Sequence, residues 1–286
     1  MESDRLGVGL IFVSAVGFGT LGIFGKLGAN AGLSNATMLV FRFVIATAVA
    51  WAYLLTTGSL RPLRGRNLLV GLGLGAVGYA TMSGLYFLGL EFMSAGLVAI
   101  ILYTYPAFVV LLSVAFLDER VTWKTILALG LALGGVALIT GANPANADPV
   151  GVGILLFAAL VYASYITVSR ATLADVESST LTAHVMPAAG VSLAVLGTMQ
   201  GTLSVPSGVT EWSIIVGLGL VATALPIFTF FAGLSRIQAS RASIVSTVEP
   251  VFTVALGALL LDEVVTLTTV VGGAIVLSGV ILLQRG

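Results

Sequence analysis

The chain has 286 residues, 58% of them hydrophobic and only 8% charged, with a mean hydropathy of +1.12 and no net charge. A soluble domain carries roughly 25% charged residues, so there are too few charges to cover a soluble surface, and the class is integral membrane protein. Zero net charge gives no basis for a nucleic-acid partner, and the absence of cysteine excludes disulfides, thiolate chemistry and zinc–sulfur sites.

Apolar runs of about 20 residues, the length that spans a bilayer as helix, occur ten times: 6–28, 36–57, 68–90, 95–117, 122–140, 150–169, 180–199, 212–234, 241–261 and 266–283. They do not alternate apolar and polar, which argues against a barrel of strands. Each is expected to be a helix, because lipid offers no partner to an open backbone. The first run is read as a span and not a cleaved signal: it is too long, and Glu2 and Asp4 before it are acidic. Gly, Pro, Asn and Asp mark short connections at 30–32, 61–64, 143–149 and 206–208. The 35 glycines show no three-residue period and suit close helix packing. Trp51, Trp123 and Trp212 fall near predicted span ends, where interfacial tryptophan belongs.

Basic residues are distributed unevenly. If the N-terminus is cytoplasmic, the inner side holds Arg5, Arg61, Arg64, Arg66, Arg120, Lys124, Arg170, Arg236, Arg241 and Arg285, and the outer side holds Lys26. That bias predicts both termini in the cytoplasm; the expected location is the inner or plasma membrane of a prokaryote.

An internal repeat organises the sequence. Leu102–Arg120, LYTYPAFVVLLSVAFLDER, matches Ser246–Val264, STVEPVFTVALGALLLDEV, at an offset of 144: Pro106 pairs with Pro250, Phe108 with Phe252, and Asp118-Glu119 with Asp262-Glu263. The same offset pairs Gly7-Val8-Gly9 with Gly151-Val152-Gly153, Pro62 with Pro206, and Gly89-Leu90 with Gly233-Leu234. Five spans per copy is an odd number, so the second copy enters the membrane inverted. The expected fold is all-α and polytopic: ten transmembrane helices as two inverted five-helix repeats, 1–142 and 150–286, forming one transmembrane unit.

Two ordered signatures run through these halves. Phe41-Arg42-Phe43, Pro106, Asp118-Glu119-Arg120 and Gly134-Gly135-Val136 mark the first; Glu249-Pro250-Val251-Phe252, Asp262-Glu263 and Ser278-Gly279-Val280 mark the second. Together they resemble the EamA-like branch of the drug/metabolite transporter superfamily over nearly the whole chain. The resemblance implies movement of small metabolites, often amino acids, through a cavity between the halves. It also implies that the third, fourth and sixth helices line that cavity. The fifth and tenth helices lie away from it and are candidates for homodimer contact.

Glu249 is the outstanding residue, because an ionised carboxylate within the bilayer costs a few kcal/mol at least. It faces a cavity, pairs with a cation or is protonated, and the alternative is a structural carboxylate at the bend made by Pro250. Arg42 lies seven residues into the second span, about 10 Å deep; it either binds a substrate carboxylate or ties helices by bonding carbonyls. His184, the sole histidine, is the second proton-relay candidate beside Glu249, against a packing role. Among the aromatics, Tyr79, Tyr103 and Tyr165 are expected to line the cavity, with Ser83 one turn from Tyr79. Pro106 and Pro250 are expected to be hinges. The GxGxxG matches at Gly17–Gly22 and Gly73–Gly78 lie inside apolar spans, so they are packing features and not nucleotide sites. The acidic pairs at 118–119 and 262–263 read as topological and capping features.

The expected function is export of amino acids or related compounds by alternating access, with proton coupling as an option. The rival cargoes are a nucleotide precursor, a sugar derivative or an organic cation. No cofactor, metal or enzymatic activity is expected. An intramembrane enzyme would need a nucleophile–base pair or paired acids at depth, and neither HExxH nor GxSxG occurs.

Overall fold

A computed structural model describes residues 2–59, 61–141, 147–261 and 264–284. The acidic pair Asp262-Glu263, Arg285 and most of the 143–149 connection lie outside the described residues. Within them, ten helices are long and apolar enough to cross a membrane: α1 (Ser3–Asn30), α2 (Asn35–Thr56), α3 (Gly65–Gly89), α4 (Leu97–Phe116), α5 (Trp123–Thr140), α6 (Pro149–Thr172), α7 (Ser178–Met199), α8 (Val209–Leu234), α9 (Ala239–Leu261) and α10 (Leu267–Gln284). All ten coincide with the predicted spans to within a few residues. Helix starts follow ordinary chemistry. Ser34 accepts the Thr37 N–H to open α2, Thr122 and Thr125 form a capping box on α5, and Asp148 accepts from Val150 and Gly151 ahead of α6.

The packing obeys the repeat. α1 lies on α8 as α6 lies on α3, α2 meets α7, and α5 meets α10. Glycine contacts match pair for pair. Gly7 packs on Arg236 and Ile237, and its repeat partner Gly151 packs on Phe92 and Met93; Gly233 sits on Ile11 as Gly89 sits on Leu155. In the α5–α10 pair, a Cβ on Gly135 would lie 2.6 Å from the Gly272 carbonyl oxygen, and one on Gly279 would lie 2.9 Å from that of Ala128. Such approach is what small residues contribute where lipid supplies no hydrophobic drive between helices. The two copies are thus related as an inverted pair, and the chain is a multi-pass membrane protein of ten spans.

Five helices are irregular: α1 is interrupted by a turn at Thr20, between Glu2–Gly19 and Leu21–Asn30, and the other four fall in pairs. α3 widens to a π turn over Leu74–Tyr79 and α8 over Leu220–Ala224. In α8 the Thr223 hydroxyl donates to the Leu218 carbonyl at 2.8 Å, which answers an acceptor that the wide turn loosens. α4 breaks between Ala95–Leu102 and Tyr105–Phe116, and α9 breaks between Ala239–Ser246 and Glu249–Leu261. Pro106 and Pro250 each stand second in the later segment, where a missing N–H breaks no helical bond. Three-residue turns bridge both gaps, Thr104 N–H to Ile101 O at 3.1 Å and Val248 N–H to Val245 O at 3.2 Å. The prolines therefore mark the starts of new segments and not mid-helix kinks.

Gly135→Ala should cost about 1–3 kcal/mol, because the added methyl meets backbone and not a yielding side chain. Gly134→Ala, where nothing lies within 4 Å, should be neutral or slightly stabilising. Thermal unfolding of the two variants in detergent checks this; equal melting temperatures would contradict the packing assigned to α5 and α10.

Candidate functional site

Two faces of the bundle are defined by charge. The starts of α1, α3, α5, α7 and α9 share one face with the ends of the even-numbered helices. This basic face carries Arg5, Arg64, Arg66, Arg120, Lys124, Arg170, Arg236 and Arg241. The far face is opposite.

A cavity of about 530 Å³ runs inward from the far face. Its mouth includes Asn35, the first residue of α2, and Thr140, the last of α5; its depth is set by Tyr79, Tyr105, Tyr162 and Glu249 near mid-membrane. The far segments of α4 and α9 both line it, through Ala99, Leu102 and Tyr103 on one and Glu249, Pro250, Thr253 and Val254 on the other. Those two segments do not pack as neighbours, whereas the basic-face segments Tyr105–Phe116 and Ala239–Ser246 do. α4 and α9 thus cross with their basic-face arms together and their far-face arms apart.

The floor beneath the cavity is aromatic. Tyr105 meets Tyr162 with ring centroids 4.7 Å apart, Tyr162 stacks on Tyr165 at 6.0 Å, Tyr165 meets Tyr79 at 5.9 Å, and Tyr79 meets Phe43 at 5.2 Å. Such pairs each contribute about 0.5–1.5 kcal/mol beyond burial. Under them, the Tyr105 hydroxyl donates to the Ser243 carbonyl at 3.4 Å. At the basic face the Glu119 carboxylate accepts from the Ala239 N–H at 2.6 Å, the Ser240 N–H at 3.1 Å and the Ser240 hydroxyl at 2.5 Å. Asp118, at φ 53°, makes the left-handed turn that sends Glu119 toward α9; aspartate is among the few residues that enter this region readily. Glu119 therefore caps, but the helix it caps belongs to the other repeat.

The cavity holds two charged groups among its lining residues, Arg42 and Glu249. Arg42 is 6% exposed, and its guanidinium lies over the Phe43 ring at 4.9 Å. One Nη donates to the Tyr79 hydroxyl at a long 3.5 Å, and the buried Nε has no partner. It forms no ion pair among the described residues. A desolvated guanidinium left short of acceptors is costly, and an anion entering the cavity would complete it. Glu249 is half-buried, with the Tyr103 side chain beside its carboxyl. Arg42 and Glu249 share the cavity without bonding each other.

Of the residues predicted from sequence, Arg42, Tyr79, Ser83, Tyr103, Glu249 and Pro250 line the cavity. Tyr165 does not. It is 4% exposed and lies one layer behind, wedged between Tyr79, Tyr162 and Phe231, with Gly78 packed on its ring. Pro106 likewise lies outside the lining. His184 is away from the cavity, in contact with Trp51. Its Nδ1 meets the Thr180 carbonyl at 2.8 Å and its Nε2 accepts the Leu63 N–H at 3.4 Å, so both ring nitrogens are engaged. Tyr86, Tyr105, Tyr162, Asn35 and Met38 also join the lining. For Tyr105 the available signal was its repeat register with Glu249.

His184→Ala should lower stability by about 1–3 kcal/mol, the cost of leaving the buried Leu63 N–H unpaired. Thermal unfolding checks it; an unchanged melting temperature would show that the His184 bonds are not structural.

The profile of the EamA-like transporter family matches residues 5–141 and again 149–285, once per repeat. An uncharacterized transporter of Archaeoglobus fulgidus is 28% identical over 98% of this chain and 97% of its own length. A probable terminal-alkyne amino-acid exporter of Streptantibioticus cattleyicolor is 27% identical over 89% of this chain and 84% of its own. A solved crystal structure with 19% identity superposes with a TM-score of 0.84 over 98% of this chain and 96% of its own, which shows the shared fold. Profile, relatives and architecture agree: the chain is a membrane transporter and belongs to the EamA-like transporter family.

Proposed function

We propose that the protein exports small zwitterionic amino acids with apolar side chains, by alternating access and without covalent chemistry. The observation that carries this reading is the cavity's charge pattern: one guanidinium short of acceptors and one carboxyl, set in an otherwise apolar and tyrosine-rich lining. Arg42 takes the substrate carboxylate, Glu249 takes its ammonium, and Tyr79, Tyr103 and Ser83 offer hydroxyls. Phe18, Leu39, Phe87 and Leu102 receive the side chain. The volume lies within the range of small-molecule sites, about 300–1,000 Å³. The relative named as a probable amino-acid exporter supports the substrate class.

In this reading the basic face is cytoplasmic, as the distribution of Lys and Arg favours. Both termini then lie inside, in the cell membrane of a prokaryote, and the cavity opens outward. The halves 1–142 and 150–286 rock against each other, and the segment breaks ahead of Pro106 and Pro250 are the hinges. Because α5 and α10 pack together at the periphery with Trp123, Ile126, Val270 and Ile281 exposed, we place a homodimer contact there.

Binding to purified protein tests the proposal. Leucine or methionine should bind, and their N-acetyl and decarboxylated analogues should bind at least about tenfold more weakly, since each charge-assisted contact contributes about 1.5–3 kcal/mol. Arg42→Ala and Glu249→Gln should each weaken binding by a similar factor. Absence of competition by any amino acid, or an Arg42→Ala variant that binds as the parent does, would overturn the assignment.

A further inference from the structure

At the basic face the crossing of α4 and α9 is sealed by a hydroxyl donor and a carbonyl acceptor. The Tyr105 hydroxyl donates to Ser243 C=O, and Ser246 lies beside it as a second polar neighbour. A phenol keeps its proton through the physiological range, so this contact is satisfied at any working pH. The repeat exchanges the two helices. Adding or subtracting 144 carries Tyr105 to Glu249, Ser243 to Ala99, and Ser246 to Leu102.

The same crossing made at the far face therefore sets the Glu249 carboxyl against Ala99 C=O, next to an apolar Leu102. Glu249 and Ala99 already line the open cavity from different helices. Ala99 C=O accepts the Tyr103 N–H at 2.8 Å and keeps a second lone pair for another donor. A carboxylate brought there presents acceptor to acceptor. It gains no bond, loses its water, and leaves an ionised group in an apolar contact, which is strongly unfavourable.

We infer that the far face closes only when a donated hydrogen lies between Glu249 and Ala99 C=O, supplied either by the proton of a neutral Glu249 or by the ammonium of a bound substrate. This rests on the alternating-access reading above. An ionised, unaccompanied Glu249 holds the far face open. In the proton-bearing switch the carboxylate takes a proton from far-face water, carries it as O–H, and releases it to basic-face water when that side opens. No other bond forms or breaks. Each switch then moves a proton or a substrate molecule but never neither, and the protein exchanges one for the other. A proton gradient directed toward the basic face drives substrate the opposite way.

The groups that face Glu249 are few. α4 brings Tyr103 and Tyr105, α3 brings Tyr86, α6 brings Tyr162, and α2 brings Arg42 to the same cavity. α1, α5 and α8 add no Asp, Glu, Lys, Arg or His to the lining. On α1, Gly19 packs against the Glu249 backbone, and Lys26 lies seven residues farther along. α10 carries no charged residue within Leu267–Gln284.

The cysteine-free chain permits single-cysteine probes without background. Asn35→Cys at the cavity mouth, in nanodiscs and without substrate, is labelled with a bulky maleimide and normalised to the exposed Val205→Cys at each pH. Normalised labelling should fall at least about threefold from about pH 8 to about pH 4, the span over which a carboxyl gains its proton. Val109→Cys, buried now and in repeat register with cavity-lining Thr253, should gain labelling in step. Glu249→Gln and Glu249→Tyr both keep a donor at every pH. Each should leave Asn35→Cys protected and Val109→Cys reactive throughout. If reciprocal labelling appears in these variants while the parent ignores pH, or if the variants stay as open as the parent at pH 8, the role given to Glu249 fails. If Val109→Cys never reacts in any chain, the alternating-access reading itself fails.

Discussion

The structure depends on how α4 and α9 cross. Each is a broken helix, and each restarts with a proline in its second position, Pro106 or Pro250. Because both helices break at the same repeat position, the crossing has two arms on each side. In the alternating-access reading only one pair of arms packs at a time. Here the basic-face arms pack, sealed by Tyr105 on Ser243 and by Glu119 on the start of α9. The cavity is the space left where the far-face arms diverge. Its aromatic floor and its mouth follow from the same geometry.

Symmetry in the backbone is joined to asymmetry in chemistry. Matched glycine contacts make the two copies structurally interchangeable, which a protein alternating between two similar arrangements requires. The residues at the crossing are not interchangeable: Tyr105 faces Glu249 across the repeat, and Ser246 faces Leu102. One side closes with a permanent donor. The other closes with a titratable group or with a charge that the substrate brings. Arg42 has no such counterpart within the lining; it lies over Phe43 with an unpartnered Nε, and in the proposed reading it takes the substrate carboxylate.

Much of the fold was legible because lipid leaves few solutions. Apolar runs of span length, an odd number per copy and a constant offset give ten helices and their inversion before any contact is known. Arg42, Tyr79, Tyr103, Ser83 and Glu249 were legible as cavity residues because polar groups at depth have few other places to be. Tyr165 was misplaced. It was expected in the lining because the resemblance puts the sixth helix there, and the packing of Gly78 on its ring puts it a layer behind. The π turns in α3 and α8 were not legible, since they are set by how Gly75 and Gly219 seat on α7 and α2 and not by local propensity. Nor was the partner of Glu119, because a span-end acid looks the same whether it caps its own repeat or the other.

In the alternating-access reading the arms of α4 and α9 pack on one face or the other, never both. Distances between paired spin labels measure this directly: Ala95→Cys with Leu260→Cys spans the far-face arms, and Phe116→Cys with Gln238→Cys spans the basic-face arms. On adding a neutral amino acid, a population should appear in which the far-face distance shortens and the basic-face distance lengthens, in equal proportion. Two distances that shorten together, or that stay fixed while substrate is bound and transported, would contradict it.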